Sequence, residues 1–243
     1  GAPLGVVVRP VAPVRGTQDS TPRLTANTLL TEEGLAESEL RLREVWKSSL
    51  VRDGRNSFIV GRALWALSLV FTNRGRFTEA VVLAEWADKA LTEAGMSELS
   101  PARLNGRIIL ANTLVVVGRA PQAVAIIDDI RSKIADDSRL DEGFGQGTLL
   151  SIRAYILTNR IPDAVRDGDN LVRHNTRFFG PEHYNTAEAR AYRAMALQRA
   201  GRVDEARREF EQAVAVLIDP AKVVGKQQTS VARTNRLKLI LNE

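Results

Sequence analysis

The chain has 243 residues, 44% hydrophobic and only 5% aromatic, with a formal net charge of +5. Its lack of cysteine excludes disulfides, thiol nucleophiles and thiolate metal sites. No apolar run approaches the ~20 residues of a membrane-spanning helix. Arg outnumbers Lys 28 to 6, and the basic residues sit among acids, as in Asp204-Glu205-Ala206-Arg207-Arg208-Glu209. The positive balance therefore reads as a solvated helical surface and not as a phosphate-binding face, which needs clustering. Ala, Leu, Arg and Glu dominate, and these lose little side-chain freedom in a helix.

Residues 1–23 stand apart. Gly1-Ala2-Pro3-Leu4-Gly5-Val6-Val7-Val8-Arg9-Pro10-Val11-Ala12-Pro13-Val14 is rich in Pro and Val and has no helical period. Proline fixes φ and pushes its predecessor toward extended geometry, so an extended arm is expected, hosted by a groove of its own chain or of a neighbour. Gly1 is not a natural start, which leaves room for a removed leader. Residues 24–56 hold a leading helix over about Glu32–Arg52.

A repeat follows. Gly75-Arg76-Phe77-Thr78-Glu79-Ala80 recurs as Gly118-Arg119-Ala120-Pro121-Gln122-Ala123, as Asn159-Arg160-Ile161-Pro162-Asp163-Ala164 and as Gly201-Arg202-Val203-Asp204-Glu205-Ala206. The terminal alanines are 43, 41 and 42 residues apart. Gly or Asn takes the left-handed conformation that ends a helix. Pro121 and Pro162 suit a first helical turn, and the small Ala lets two helices approach. Phe71, Leu114, Tyr155 and Leu197 precede the alanines by nine residues, and Ala87, Ile130, Leu171 and Ala213 follow by seven. Each copy is thus the turn of a helical hairpin. The spacing predicts four hairpins over 57–217: Ser57–Arg74 with Thr78–Ala94, Pro101–Val117 with Pro121–Ala135, Leu140–Thr158 with Pro162–Asn175, and Pro181–Ala200 with Asp204–Leu217. Residues 218–243 form a linker and a last helix over about Val231–Leu241.

These residues resemble the tetratricopeptide repeat (TPR). Ala194, Leu197, Gly201, Ala206, Phe210 and Ala213 fit its pattern in copy four, and Leu64, Leu67, Phe71, Gly75, Ala80 and Ala87 in copy one. Copies two and three depart from it, with Arg107 and Thr148 where a large apolar residue is usual and Gly168 where an aromatic is usual. The ~42-residue unit exceeds the usual ~34. It is similar to the long kind of kinesin light chains and many bacterial multidomain proteins, as is Gly180-Pro181-Glu182-His183-Tyr184-Asn185-Thr186-Ala187. The tail Arg236-Leu237-Lys238-Leu239-Ile240-Leu241 resembles the segment after the repeats in bacterial proteins with a C-terminal CHAT domain. That implies the N-terminal repeat region of a longer protein.

The resemblance implies an all-α right-handed superhelix of antiparallel hairpins, a TPR-like α-α solenoid whose first helices line a concave face. Carried over position by position, that face takes Arg62, Trp65 and Leu69; Asn105, Ile108 and Asn112; Gln146, Leu149 and Arg153; and Glu188, Ala191 and Met195. Amides can pair with the backbone of an extended peptide, Arg can clamp a carboxylate, and Trp65 is either an anchor or packed core. The Lys-Asn carboxylate clamp of chaperone-binding relatives is not reproduced here.

Chemistry has little support. A zinc site would need both His174 and His183 plus carboxylates, and His183 reads more simply as a helix-start contact. Gly143-Phe144-Gly145-Gln146-Gly147 lacks the Lys-Ser or Lys-Thr of a phosphate loop and reads as a flexible helix start. Gly225-Lys226 fails as a Walker loop, because Pro220 and Gln227 replace the required Gly and hydroxyl. Asp128-Asp129 and Asp136-Asp137 diverge around a helix and read as solvated surface. The expectation is a scaffold for a protein or peptide partner. It includes no enzyme activity, metal, cofactor or small-molecule substrate, no membrane span and no nucleic acid. Alternatives are the regulatory or substrate-presenting region of a CHAT-type cysteine protease, and a self-association module. The compartment stays open between bacterial cytoplasm and export.

Overall fold

The computed structural model describes residues 32–218. The predicted arm 1–23, the stretch 24–31 and the region 219–243 with its predicted helix lie outside the described residues. All regular structure among those described is helical. α1 (Glu32–Asp53) leads. Four hairpins follow, each an inner helix and an outer one: α2 (Phe58–Asn73) with α3 (Phe77–Glu93), α4 (Pro101–Val116) with α5 (Ala120–Ile134), α6 (Ser138–Phe144) and α7 (Leu149–Leu157) with α8 (Ile161–Phe179), and α9 (Tyr184–Arg199) with α10 (Val203–Leu217).

The four turns are built alike. Gly75, Gly118, Asn159 and Gly201 all have positive φ, between 57° and 80°. The N–H of the following Arg donates to the carbonyl five residues back: Arg76 to Phe71 at 2.9 Å, Arg119 to Leu114 at 2.8 Å, Arg160 to Tyr155 at 2.8 Å and Arg202 to Leu197 at 2.9 Å. This Schellman closure satisfies carbonyls that a helix end leaves open. The repeat alanines then fall where the helices meet. Ala80, Ala123 and Ala164 are wholly buried, and Ala206 nearly so.

The same arginines carry a second pattern. Each reaches the polar side chain three residues on: Arg76 to Glu79 at 3.0 Å, Arg119 to Gln122, Arg160 to Asp163 at 2.7 Å and Arg202 to Glu205 at 2.7 Å. Three also reach back to an acid on the preceding outer helix. Arg76 meets Glu39 of α1 at 3.3 Å, Arg119 meets Glu85 of α3 at 3.1 Å, and Arg160 meets Asp128 of α5. The guanidinium planes of Arg76 and Arg160 lie over the rings of Phe71 and Tyr155, at 3.9 and 4.7 Å from their centroids. In the first three repeats one arginine thus ties the turn to its own hairpin and to the helix before it.

Capping explains the inner-helix starts. Ser57 Oγ accepts from the Val60 N–H, and Ser100 Oγ from that of Arg103 just ahead of Pro101. His183 starts α9 as expected, its Nδ1 accepting from the Asn185 N–H at 3.1 Å while its ring stacks on Phe179. Burial lowers the pKa of that imidazole, in keeping with an accepting, neutral ring.

Two helices differ from expectation. The single helix predicted over Leu140–Thr158 is broken into α6 and α7. Gly147 has φ of 81°, which no helix can carry through, and Thr148 starts α7 afresh with a capping box to Ser151. The glycine run is therefore a mid-helix break and not a helix start. α8 continues past Asn175 to Phe179, since nothing stops it before Gly180 and Pro181.

The polar departures in copies two and three are compensated. Arg107 pairs with Asp129 at 2.7 Å, and Asp129 also meets Lys133 at 3.0 Å. A side chain at Gly168 would lie 3.0 Å from Arg193, and Arg193 pairs with Asp169 and Glu209. Asp128 and Asp129 are thus working ion-pair partners, where the sequence suggested mere solvated surface.

Candidate functional site

The inner helices touch in series, α2 to α4, α4 to α7 and α7 to α9, and the outer helices make no comparable contacts with one another. The inner helices thus form one continuous layer of the array. The expected face residues fall on this layer in three states. Leu69, Leu149 and Ala191 are buried in the core at 2%, 6% and 0% exposure. Asn105, Asn112 and Glu188 are buried polar groups. Arg62, Trp65, Ile108, Gln146, Arg153 and Met195 are half-buried. Arg62 lies over the Phe58 ring at 5.5 Å. Trp65 and Met195 pack against the core from the side.

Trp65 Nε1, Asn112 Nδ2 and Gln146 Oε1 are among the buried polar atoms with no hydrogen-bond partner, two donors and an acceptor. Such atoms cost about 1–3 kcal/mol each when left unpaired. These three lie on three successive inner elements, α2, α4 and the α6–α7 break.

That break brings in residues that sequence reasoning missed. A small cavity, with room for about one water, is lined among others by Ile108, Asn112, Arg131, Phe144, Thr148 and Ser151. Asn112 Oδ1 accepts from Thr148 Oγ1 at 2.9 Å, and its Nδ2 is buried without a partner. Behind it lies Asp167, fully buried. Its Oδ1 accepts from Arg131 at 2.6 Å and its Oδ2 from Ser151 Oγ at 2.6 Å. Arg131 also donates to the Tyr155 hydroxyl at 2.7 Å, and that hydroxyl donates to Asp128 at 2.9 Å. Burial opposes the charge on Arg131, but Asp167 outweighs it and the guanidinium pKa rises. Burial, with the Asp128 hydrogen bond, pushes the Tyr155 phenol up. Only the glycine run signalled this region in the sequence.

Among the described residues no group of three or more His, Asp or Glu could hold a metal ion, and no helix is long and apolar enough to cross a membrane.

A tetratricopeptide-repeat family model matches residues 187–212, within α9 and α10. No curated protein matches the sequence. Two solved structures are similar, of a Podosopora anserina chain described as a kinesin light chain with nearly identical TPR-like repeats and of a one-residue variant of it. Each is 19% identical and covers 78% of this chain and 90% of its own, with TM-scores of 0.56 and, for the variant, 0.58. At that identity the likeness is one of fold. Residues 187–212 thus match a tetratricopeptide repeat, in a chain whose described residues have the fold of a TPR-like α-α solenoid.

Proposed function

We propose that this chain is a protein-interaction scaffold that binds an extended peptide segment along its inner helices, and that it is not itself an enzyme. The observation that carries the reading is the TPR-like stack of hairpins, whose inner helices touch in series and leave Arg62, Trp65, Ile108, Arg153 and Met195 half-buried on one layer. The half-buried Ile108 and Met195 add apolar surface on the same layer. TPR arrays in general mediate protein–protein interaction, which agrees with this reading.

A peptide-display selection against the full chain tests it. Selected peptides should bind Trp65→Ala and Asn112→Leu variants at least about tenfold more weakly, the loss of roughly 1.4 kcal/mol expected of an interface anchor. Equal binding to both variants would move the site off the inner face. A second reading, the substrate-presenting region of a CHAT-type protease, rests on the tail Arg236–Leu241, outside the described residues. The gene beyond Glu243 decides it: a domain bearing His and Cys supports it, and a stop codon removes it.

A further inference from the structure

We infer that the cavity between hairpins two and three binds a resident water, which acts as a structural member of the joint where the inner helix of hairpin three is broken. The inference goes beyond the scaffold reading and does not rest on it.

The cavity sits at the break. Gly147 turns there with φ of 81°, and α7 restarts from Thr148 instead of running on from α6. On one side the turn is packed tightly: a Cβ at Gly147 would lie 2.7 Å from Asp167 Oδ2 and 3.1 Å from Ser151 Oγ. On the other it bounds the cavity, together with Ile108 and Asn112 of α4, Arg131 of α5, Phe144 of α6 and Ser151 of α7. The space has room for about one water.

A count of hydrogen bonds shows what suits it. Asn112 is only 3% exposed, so bulk solvent does not serve its amide. Its Oδ1 accepts from Thr148 Oγ1 at 2.9 Å, while Nδ2 has no partner among the described residues. A hydroxyl donates once and can accept twice. Thr148 Oγ1 donates to Asn112 and accepts from the Ser151 N–H at 3.0 Å. Ser151 Oγ donates to Asp167 at 2.6 Å and accepts from the Thr148 N–H at 2.9 Å. Each hydroxyl thus keeps one lone pair for a further donor. One donor group on α4 and two acceptors at the start of α7 belong to residues that line the same water-sized space. A water accepts from Asn112 Nδ2 and donates to Thr148 Oγ1 or Ser151 Oγ, and so completes both sides.

Charge agrees with a neutral occupant. The guanidinium of Arg131, which also lines the cavity, is already matched by Asp167 at 2.6 Å. An ion would sit there uncompensated, at the cost of burying a net charge. Leaving a buried amide unpaired generally costs more than immobilising one water. The water joins α4 to α7 across the interface of the two hairpins, alongside the Asn112–Thr148 and Arg131–Asp167 bonds.

Two measurements test the inference on the full chain. A crystal structure at a resolution that shows ordered solvent should place a water about 3 Å from Asn112 Nδ2 and from the Oγ of Thr148 or Ser151. Magnetic relaxation dispersion of the solvent counts long-lived waters, and Asn112→Leu, checked for folding by circular dichroism, should lower that count by about one. A crystal structure with no water at the site, or with the Phe144 ring turned into the space, overturns the inference. So does a folded Asn112→Leu variant whose count equals that of the parent. The crystal structure uses the parent alone and decides the matter even if the variant fails to fold.

Discussion

The Tyr155 hydroxyl sits between two charged groups, accepting from Arg131 and donating to Asp128, with its ring beneath Arg160. Its raised pKa means that the folded state favours the protonated phenol. The stability this contributes is complete below the ordinary value of 10.0 and is lost as pH rises above it. Phenolate absorbance, taken as the difference between the parent and Tyr155→Phe, should show Tyr155 ionising only as the protein unfolds in alkali. Tyr155→Phe should lower neutral stability by about 1 kcal/mol for the missing hydrogen bonds and flatten the alkaline decline. A variant that declines as steeply as the parent above pH 10 would remove Tyr155 from the account. The ionic partners in this network were not legible in the sequence. Arg131 and Asp167 are 36 residues apart, and only the stacking of neighbouring hairpins brings them together. The turn arginines were on view four times, but their second role needs the preceding outer helix in place.

Among the elements, the broken inner helix of hairpin three is the most consequential departure from regular repetition. Gly147 is fixed there twice over: its φ is 81°, and an added Cβ would lie 2.7 Å from Asp167 Oδ2. Gly118 shares the positive φ but opens onto free space. Gly118→Ala should therefore cost only the backbone strain, about 1 kcal/mol. Gly147→Ala should cost about 2 kcal/mol or more, because it also displaces a buried carboxylate from Arg131 and Ser151. Denaturant titrations compare the two, and equal losses would show that the Asp167 contact carries no weight. The turns were legible because a left-handed residue, an arginine and a buried alanine recur at fixed places. The break was not, since a glycine-rich run opens a helix as readily as it interrupts one. Of the expected face, Leu69, Leu149 and Ala191 went into the core because the inner helices pack closely on one another. The cavity beside Asn112 had no sequence signal beyond those glycines.

Over the whole molecule the apolar interior is divided. One cluster joins α1, α2 and α3 with Ile109, and a larger one runs from Val81 and Ala84 of α3 through hairpins two to four. Repeat arrays owe their stability to each unit and its nearest neighbours, so α3 and α4 form the seam. In mild denaturant, amide hydrogen exchange should release α1 and α2 as one group ahead of α7, α8 and α9. Uniform protection across both groups would show a single cooperative unit. The series arrangement also has a mechanical meaning. Each hairpin bears only on the next, so tension applied at the two ends passes through every interface in turn and is shared by none in parallel. Such an object lengthens by yielding at its softest junction first, and the other hairpins stay folded until that junction has given.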